Sequence, residues 1–381
     1  MHMSRQKLEK RIKRKLGAHL RTLGFVKSDD GKLAPPEESK DVLRAMHRIQ
    51  RRDKLRSEKH FLDAKAERLL EHFASGKDVN PAEVRPKLKL VTSNTLESDL
   101  FRFASLTWSV PVSRGYGRRM RFLVMDQSNG KVIGLIALGD PVFNMSVRDN
   151  YIGWTSNDRK ERLVDILDAY VLGAIPPYSF LLGGKLVASL IRTKEIQMAF
   201  RQKYGDTKGI ISSKKKHASL VMVTTSSALG RSSLYNRLKL NGTEYYTPIG
   251  YTNGWGHFHV PDSLFADMRR YLEKQHHAYS NGHQFGDGPN WRLRSVRTTL
   301  DYLGIDGNIL RHGVPRQVYI CKLASNAERI LRGETHRPIY SGLKSVAAVG
   351  DLARERWLVP RATRRPEYAQ WEKEQILNLI R

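Results

Sequence analysis

The apolar positions at the start of the chain fall at helical spacing. Leu8, Ile12, Leu16, Leu20 and Leu23 line one side of a predicted helix over 4–24, and Arg5, Lys7, Lys10, Arg11, Lys13, Arg14 and Lys15 fill its other faces. A Pro/Gly/acid stretch, KSDDGKLAPPEESK, interrupts the pattern as a loop or linker. A longer helix is predicted over 41–73: Leu55, Leu62 and Leu69 recur every seven residues, and Met46 and Ile49 extend the stripe. Gly76 and Pro81 close it.

From about Val84 the pattern changes to short apolar runs between turn residues. MRFLVMDQSNGKVIGLIALGD reads as two strands joined by Asn129-Gly130, the strongest short hairpin signal. Between Asp168 and Gly256 follow a strand (AYVLGAIPPY), a glycine turn opening a helix (LLGGKLVASLI), a second strand (ASLVMVTT), and a Tyr-bearing helix closed by a polar strand pair. Residues 261–304 are mostly helical around a Gly/Asn/His-rich interruption, and RQVYICKL is a strand that would add to the central sheet. A last helix is predicted from Glu367 to Ile380. The resulting expectation is an α+β protein in three parts: a basic helical region over 1–83, a sheet-bearing core over 84–260, and a basic, mostly helical region over 261–381.

At 381 residues the chain is too long for one ordinary core. Its 66 Lys and Arg against 38 Asp and Glu leave a formal net charge of +28, spread along the whole sequence. Such a field attracts polyanions, and DNA or RNA is the expected partner, against a merely solubilising surface or an anionic membrane. No stretch is apolar enough to cross a bilayer, and the basic N-terminus lacks the apolar segment of a signal peptide, so a cytoplasmic location is expected. The single Cys321 excludes an internal disulfide and a multi-cysteine zinc site.

The candidate phosphate contacts form several groups. SRGYGRRMR interleaves Tyr116 with Arg114, Arg118, Arg119 and Arg121, a combination suited to phosphate contact and base stacking. Lys185 follows the glycine turn, Lys214, Lys215 and Lys216 form a basic loop, and Arg292, Arg294 and Arg297 cluster on one helix. Arg231 lies among serines ahead of the Tyr235 helix, where a serine cap and a guanidinium would favour a bound phosphate together. In RDNYIGW, Arg148 and Asp149 either grip a phosphate or hold their loop by an ion pair, and Trp154 reads as a core anchor.

Read together, 121–250 resembles the GNAT acyltransferase fold, and SSLYNRLKLNGTEYY is its closest local match. The resemblance implies that Gly183 and Gly184 stand at the pyrophosphate loop and Tyr235 at the general acid. The usual spacing of that loop is missing, and no carboxylate base is evident.

A wider resemblance covers 100–320: VIGLIALGDPVFNMSVRDNYIGWTSNDRKERL, LLGGKL, TTSSALGRSSLYNRL and IGYTNGWGHFH are similar to the DruA family of the Druantia anti-phage defence system. It implies a defence role beside other Druantia proteins, including a large helicase-like partner, and supplies no catalytic residues.

His257-Phe258-His259 forms a third motif. Two histidines flanking one residue on a strand point the same way, and the arrangement resembles that by which HUH endonucleases hold a divalent metal, the one cofactor the sequence brings into question. Tyr271 on the following helix would then attack the phosphate. His276, His277 and His283 beside Asp287 read as exposed loop residues. These features lead to a DNA-binding defence component, with a metal-dependent nickase and an acyltransferase as alternatives.

Overall fold

The computed structural model describes residues 4–27, 33–34, 40–112, 117–208, 215–253, 257–281, 291–310 and 315–380. Its centre is a mixed seven-stranded sheet. In chain order the strands are β1 (Pro86–Leu90), β2 (Arg119–Asp126), β3 (Val132–Gly139), β4 (Ile166–Ala174), β5 (Met222–Ser226), β6 (Thr247–Tyr251) and β7 (Gln317–Lys322). Across the sheet they run β6-β7-β5-β4-β3-β2-β1, and all neighbours are antiparallel except β4 and β5.

β3 is the third strand from one edge and is buried at all eight positions, which explains its unbroken apolar run VIGLIALG. The β2–β3 hairpin forms where Asn129-Gly130 predicts it, but only Gly130 takes a positive φ (73°) and its N–H donates to the Asp126 carbonyl at 2.8 Å, so the turn is longer than the two-residue form. Its carboxylate Asp126 accepts from the backbone N–H groups of Arg85 and Ser128 and from the Tyr178 hydroxyl, and so ties the turn to the core. Helices cover the sheet through Leu186, Val187, Leu190, Ile196, Phe200, Val349 and Trp357.

The chain divides into two compact units. One comprises residues 1–57, 109–111 and 253–315; the other comprises 58–108, 112–252 and 316–381 and contains the sheet. The C-terminal third is therefore shared, because β7 inserts between β5 and β6. In the first unit the Arg5–Thr22 helix buries Leu8, Ile12, Leu16 and Leu20, as its spacing predicts. Part of its positive face is used internally: Arg11 and Lys15 both reach the buried carboxylate of Asp267, at 2.9 and 2.5 Å.

Three segments differ from the sequence expectation. Tyr235 sits on a single 3-10 turn, Tyr235–Arg237, rather than a helix. Ser232 Oγ accepts from the backbone of Leu234 and Tyr235, and the Lys239–Leu240 strand starts directly after the turn, so no length remains for a helix. The segment after Glu367 is broken into short 3-10 turns and an Ile376–Ile380 helix, because the Trp371 carbonyl is taken by the N–H of Gly76 at 2.6 Å. The segment from His257 to Pro261 is in no named strand; the Phe258 N–H donates to the Leu310 carbonyl, and its ring packs on Phe25 at 5.2 Å.

Candidate nucleic-acid interface

The place where β4 and β5 part organises the sheet-bearing unit. Their ladder runs only from Ile166–Met222 to Asp168–Thr224, while β4 continues to Ala174. Past the last rung Thr225 Oγ1 donates to the Ala169 carbonyl at 2.8 Å, and Thr224 Oγ1 donates to Asp168 Oδ1 at 2.7 Å. The Tyr235 ring packs against Tyr246 and Tyr319, tilted by 37° and 57°, with centroids 4.8 and 5.1 Å away. Burial raises Asp168 to about 6 and Tyr235 to about 12. The sequence offered no carboxylate near this tyrosine; the fold supplies Asp168.

β4 leads through Pro176 and Pro177 into the Gly183–Ser189 helix, whose first turn follows Leu182 at φ 62°. Packing demands the first glycine and leaves the second little room. A Cβ on Gly183 would lie 2.6 Å from the Tyr178 carbonyl oxygen, and one on Gly184 would press Leu234 Cδ1 at 3.2 Å. Leu234 over Gly184 places the Tyr235–Arg237 turn against the start of this helix and therefore beside Lys185.

A third segment reaches the same place. After the Val346–Ala353 helix, Arg354–Leu358 is a π-helical turn, the local widening expected where Pro360 removes an N–H and crowds the carbonyl four residues earlier. This turn carries Trp357, with Lys185 Nζ 5.5 Å from its ring centroid, and Arg356. The Lys185 ammonium is held below its usual range by burial, then by Arg356 and Arg237, both of its own sign. None of the three pairs with a carboxylate among the described residues, and both arginines are exposed. Three segments thus bring two exposed arginines within electrostatic reach of Lys185.

The other expected phosphate contacts are dispersed. Arg118 is committed internally: Nε donates to Asp140 at 2.7 Å, and its terminal nitrogens donate to the carbonyls of Val164 and Ile166. Arg119 is exposed, and Arg121 lies over the Phe101 ring at 5.5 Å. Arg231 and Arg294 are exposed and in no ion pair among the described residues. Arg292 pairs with Asp262 at 2.8 Å. Arg114, Tyr116, Lys214, His283 and Asp287 lie outside the described residues, as do the side chains of Lys215 and Lys216.

The chain as a whole matches a known family. A family model described as Druantia protein DruA matches residues 37–333. The chain belongs to the DruA family. The Druantia protein DruA of Escherichia coli (strain UMEA 4076-1) is 51% identical over 372 residues, covering 98% of this chain and 92% of that relative. Membership makes the chain a component of the Druantia anti-phage defence system. No solved structure matches it. Among the described residues, no helix is long and apolar enough to cross a membrane.

In this DruA-family chain the two histidines of the His-Phe-His motif have separate partners. His257 Nε2 lies 2.8 Å from Arg297 Nη2, whereas His259 Nε2 lies 2.9 Å from Asp53 Oδ2. Tyr271 is buried in the Asp262–Lys274 helix at 1% exposure, so its hydroxyl does not face an open site. The donor atoms that do converge are one each from Asp53, His259 and Asp262, within 4.8 Å of one another. They already have protein partners: the Asp53 carboxylate accepts from the Asp262 N–H at 3.0 Å, and Asp262 is held by Arg292. Burial alone would raise Asp53, but the bonds from His259 and the Asp262 N–H outweigh it and hold the group low. The trio thus stands as a cap on the Asp262–Lys274 helix.

Of these three cations the sequence singles out Lys185 but not Arg237 or Arg356. Arg237 was legible in principle, two residues beyond Tyr235 in LYNRL. Arg356 comes from the far end of the chain, and no local pattern marks it.

Proposed function

We propose that this chain engages nucleic acid for the Druantia system, gripping the sugar-phosphate backbone at Lys185, Arg237 and Arg356. The observation that carries the reading is the approach of those three side chains from separate segments, none of them in an ion pair among the described residues. A protein of net charge +28 supplies the long-range attraction, and the cluster supplies a fixed point of contact. The surrounding frame is read as GNAT-like: a hairpin, a strand parting from its parallel neighbour, and a glycine-opened helix follow in the order expected of that fold. Here Leu234 packs over the glycine turn and three tyrosines pack together at the parting strands, which favours a binding frame over acyl transfer. DNA is the proposed ligand, engaged alongside other Druantia proteins that include a large helicase-like partner.

The test is equilibrium DNA binding by fluorescence anisotropy across a salt series. Lys185→Ala/Arg237→Ala/Arg356→Ala is expected to weaken binding about ten- to thirty-fold near 100 mM salt and to flatten the log-log salt slope by roughly 2–3, because each phosphate contact contributes about 0.9. Unchanged slope and affinity would remove the cluster from the interface.

A further inference from the structure

A groove of about 560 Å³ opens in the sheet-bearing unit, lined by Phe180, Arg361, Arg365, Tyr368, Gln370 and Trp371 among others. Phe180 is 41% exposed, unusual for so large an apolar ring, and meets Trp371 edge to face with centroids 5.5 Å apart. Arg361 Nε donates to the Phe180 carbonyl at 3.2 Å, which leaves its terminal nitrogens for a ligand. Arg365 pairs with Glu367 at 2.9 Å, so the groove's charged side chains sum to one positive charge.

The groove and the cluster lie along the same two segments. Phe180 and Lys185 are five residues apart on one, and Arg361 and Arg356 are five residues apart on the other. The segments are joined at both ends, by Arg361 on the Phe180 carbonyl and by Lys185 over Trp357.

We infer that the groove holds an unpaired nucleobase of a nucleic-acid strand whose phosphate sits on the cluster, so that the site is selective for single-stranded over duplex nucleic acid. This rests on the nucleic-acid reading above and adds the substrate class. Bases in a duplex are stacked on their neighbours and cannot present a face to Phe180 or Trp371, whereas an unpaired base presents both. Aromatic stacking tolerates any base, so the preference concerns strandedness and not sequence. Arg361 would meet the phosphate or stack on the base from the opposite wall.

The full-length protein is tested against a fluorescein-labelled oligothymidylate and the same strand annealed to its complement, with the melting temperature of every variant recorded. Phe180→Ala, an exposed position, and Trp371→Leu are each expected to weaken single-strand binding about ten-fold while changing duplex binding less than about two-fold. The triple cation variant should weaken both. Equal losses on strand and duplex, or no loss on either with wild-type binding intact, overturns the groove and leaves the cluster. Absence of wild-type binding to either substrate overturns both readings. Displacement of the oligonucleotide by millimolar thymidine monophosphate as effectively as by unlabelled strand overturns the strand in favour of a free nucleotide.

Discussion

Asp149→Ala is expected to destabilise the protein by about 3–5 kcal/mol, the cost of leaving a buried charge without its partner. Arg148 is 0% exposed and donates through Nε and Nη2 to Asp149 Oδ1, at 2.9 and 2.6 Å. Its other bonds go to the carbonyls of Val142 and Phe143, and its guanidinium lies 5.5 Å from the Trp154 ring centroid. Those dipoles orient the cation without neutralising it. Arg148→Met should cost less, because Asp149 keeps the second arginine, Arg159, at 2.6 Å while methionine fills much of the vacated volume. Urea denaturation of both variants checks the asymmetry. Equal losses would mean that packing around the RDNYIGW turn, and not the ion pair, holds it together.

That turn also shows how far the sequence could be read. Trp154 was legible as an anchor, and it is one, with its indole N–H on the Leu331 carbonyl at 2.5 Å. The hairpin and strands β4, β5 and β7 were legible because strand period and turn chemistry are local signals. The sequence places Arg118 in a basic loop, where it has the same local signature as an exposed phosphate contact. Its fate is decided by Asp140 and by carbonyls of residues more than forty positions away, which no local window contains. The reverse holds for Arg356. It looks like one arginine among many near the C-terminus, and a π-helical turn caused by Pro360 directs it to Lys185. Charge composition raises the expectation of a polyanion partner, but only tertiary structure separates cations already paired, such as Arg11 and Lys15 on Asp267, from those in no ion pair among the described residues.

The alternation of the His-Phe-His motif shows the same limit from another side. Period-two spacing aligns two side chains only when the backbone is a strand. Here Phe258 is drawn inward against Phe25, and the histidines on either side are satisfied separately by Arg297 and Asp53. Tertiary packing of one apolar residue thus replaces the geometry that the motif implies.

A second large effect is expected from Asp168, and it depends on pH. Its carboxyl rises from an ordinary 3.8 to about 6, with burial the leading cause, opposed by the Thr224 hydroxyl and by Arg148. Below about pH 4 the group is neutral in both the folded and unfolded chain and has no effect on the equilibrium. Between about pH 4 and 6 the unfolded chain gives up this proton while the folded protein keeps it, so stability falls as pH rises. Above about pH 6 the folded protein carries a partly buried carboxylate, and the loss levels off at up to about 3 kcal/mol, less to the extent that solvent reaches the group. Asp168→Asn removes this titration and no other. The difference in unfolding free energy between variant and wild type should therefore shift in favour of asparagine by about 2–3 kcal/mol from pH 4 to pH 7.5, on top of any constant offset from the new amide. Urea melts at those two pH values measure it, and other titrating groups cancel in the difference. A difference that stays flat would mean that Asp168 is ionised at its ordinary pH, and that the parting of β4 from β5 is wetter than its packing against Thr224 and Tyr235 implies.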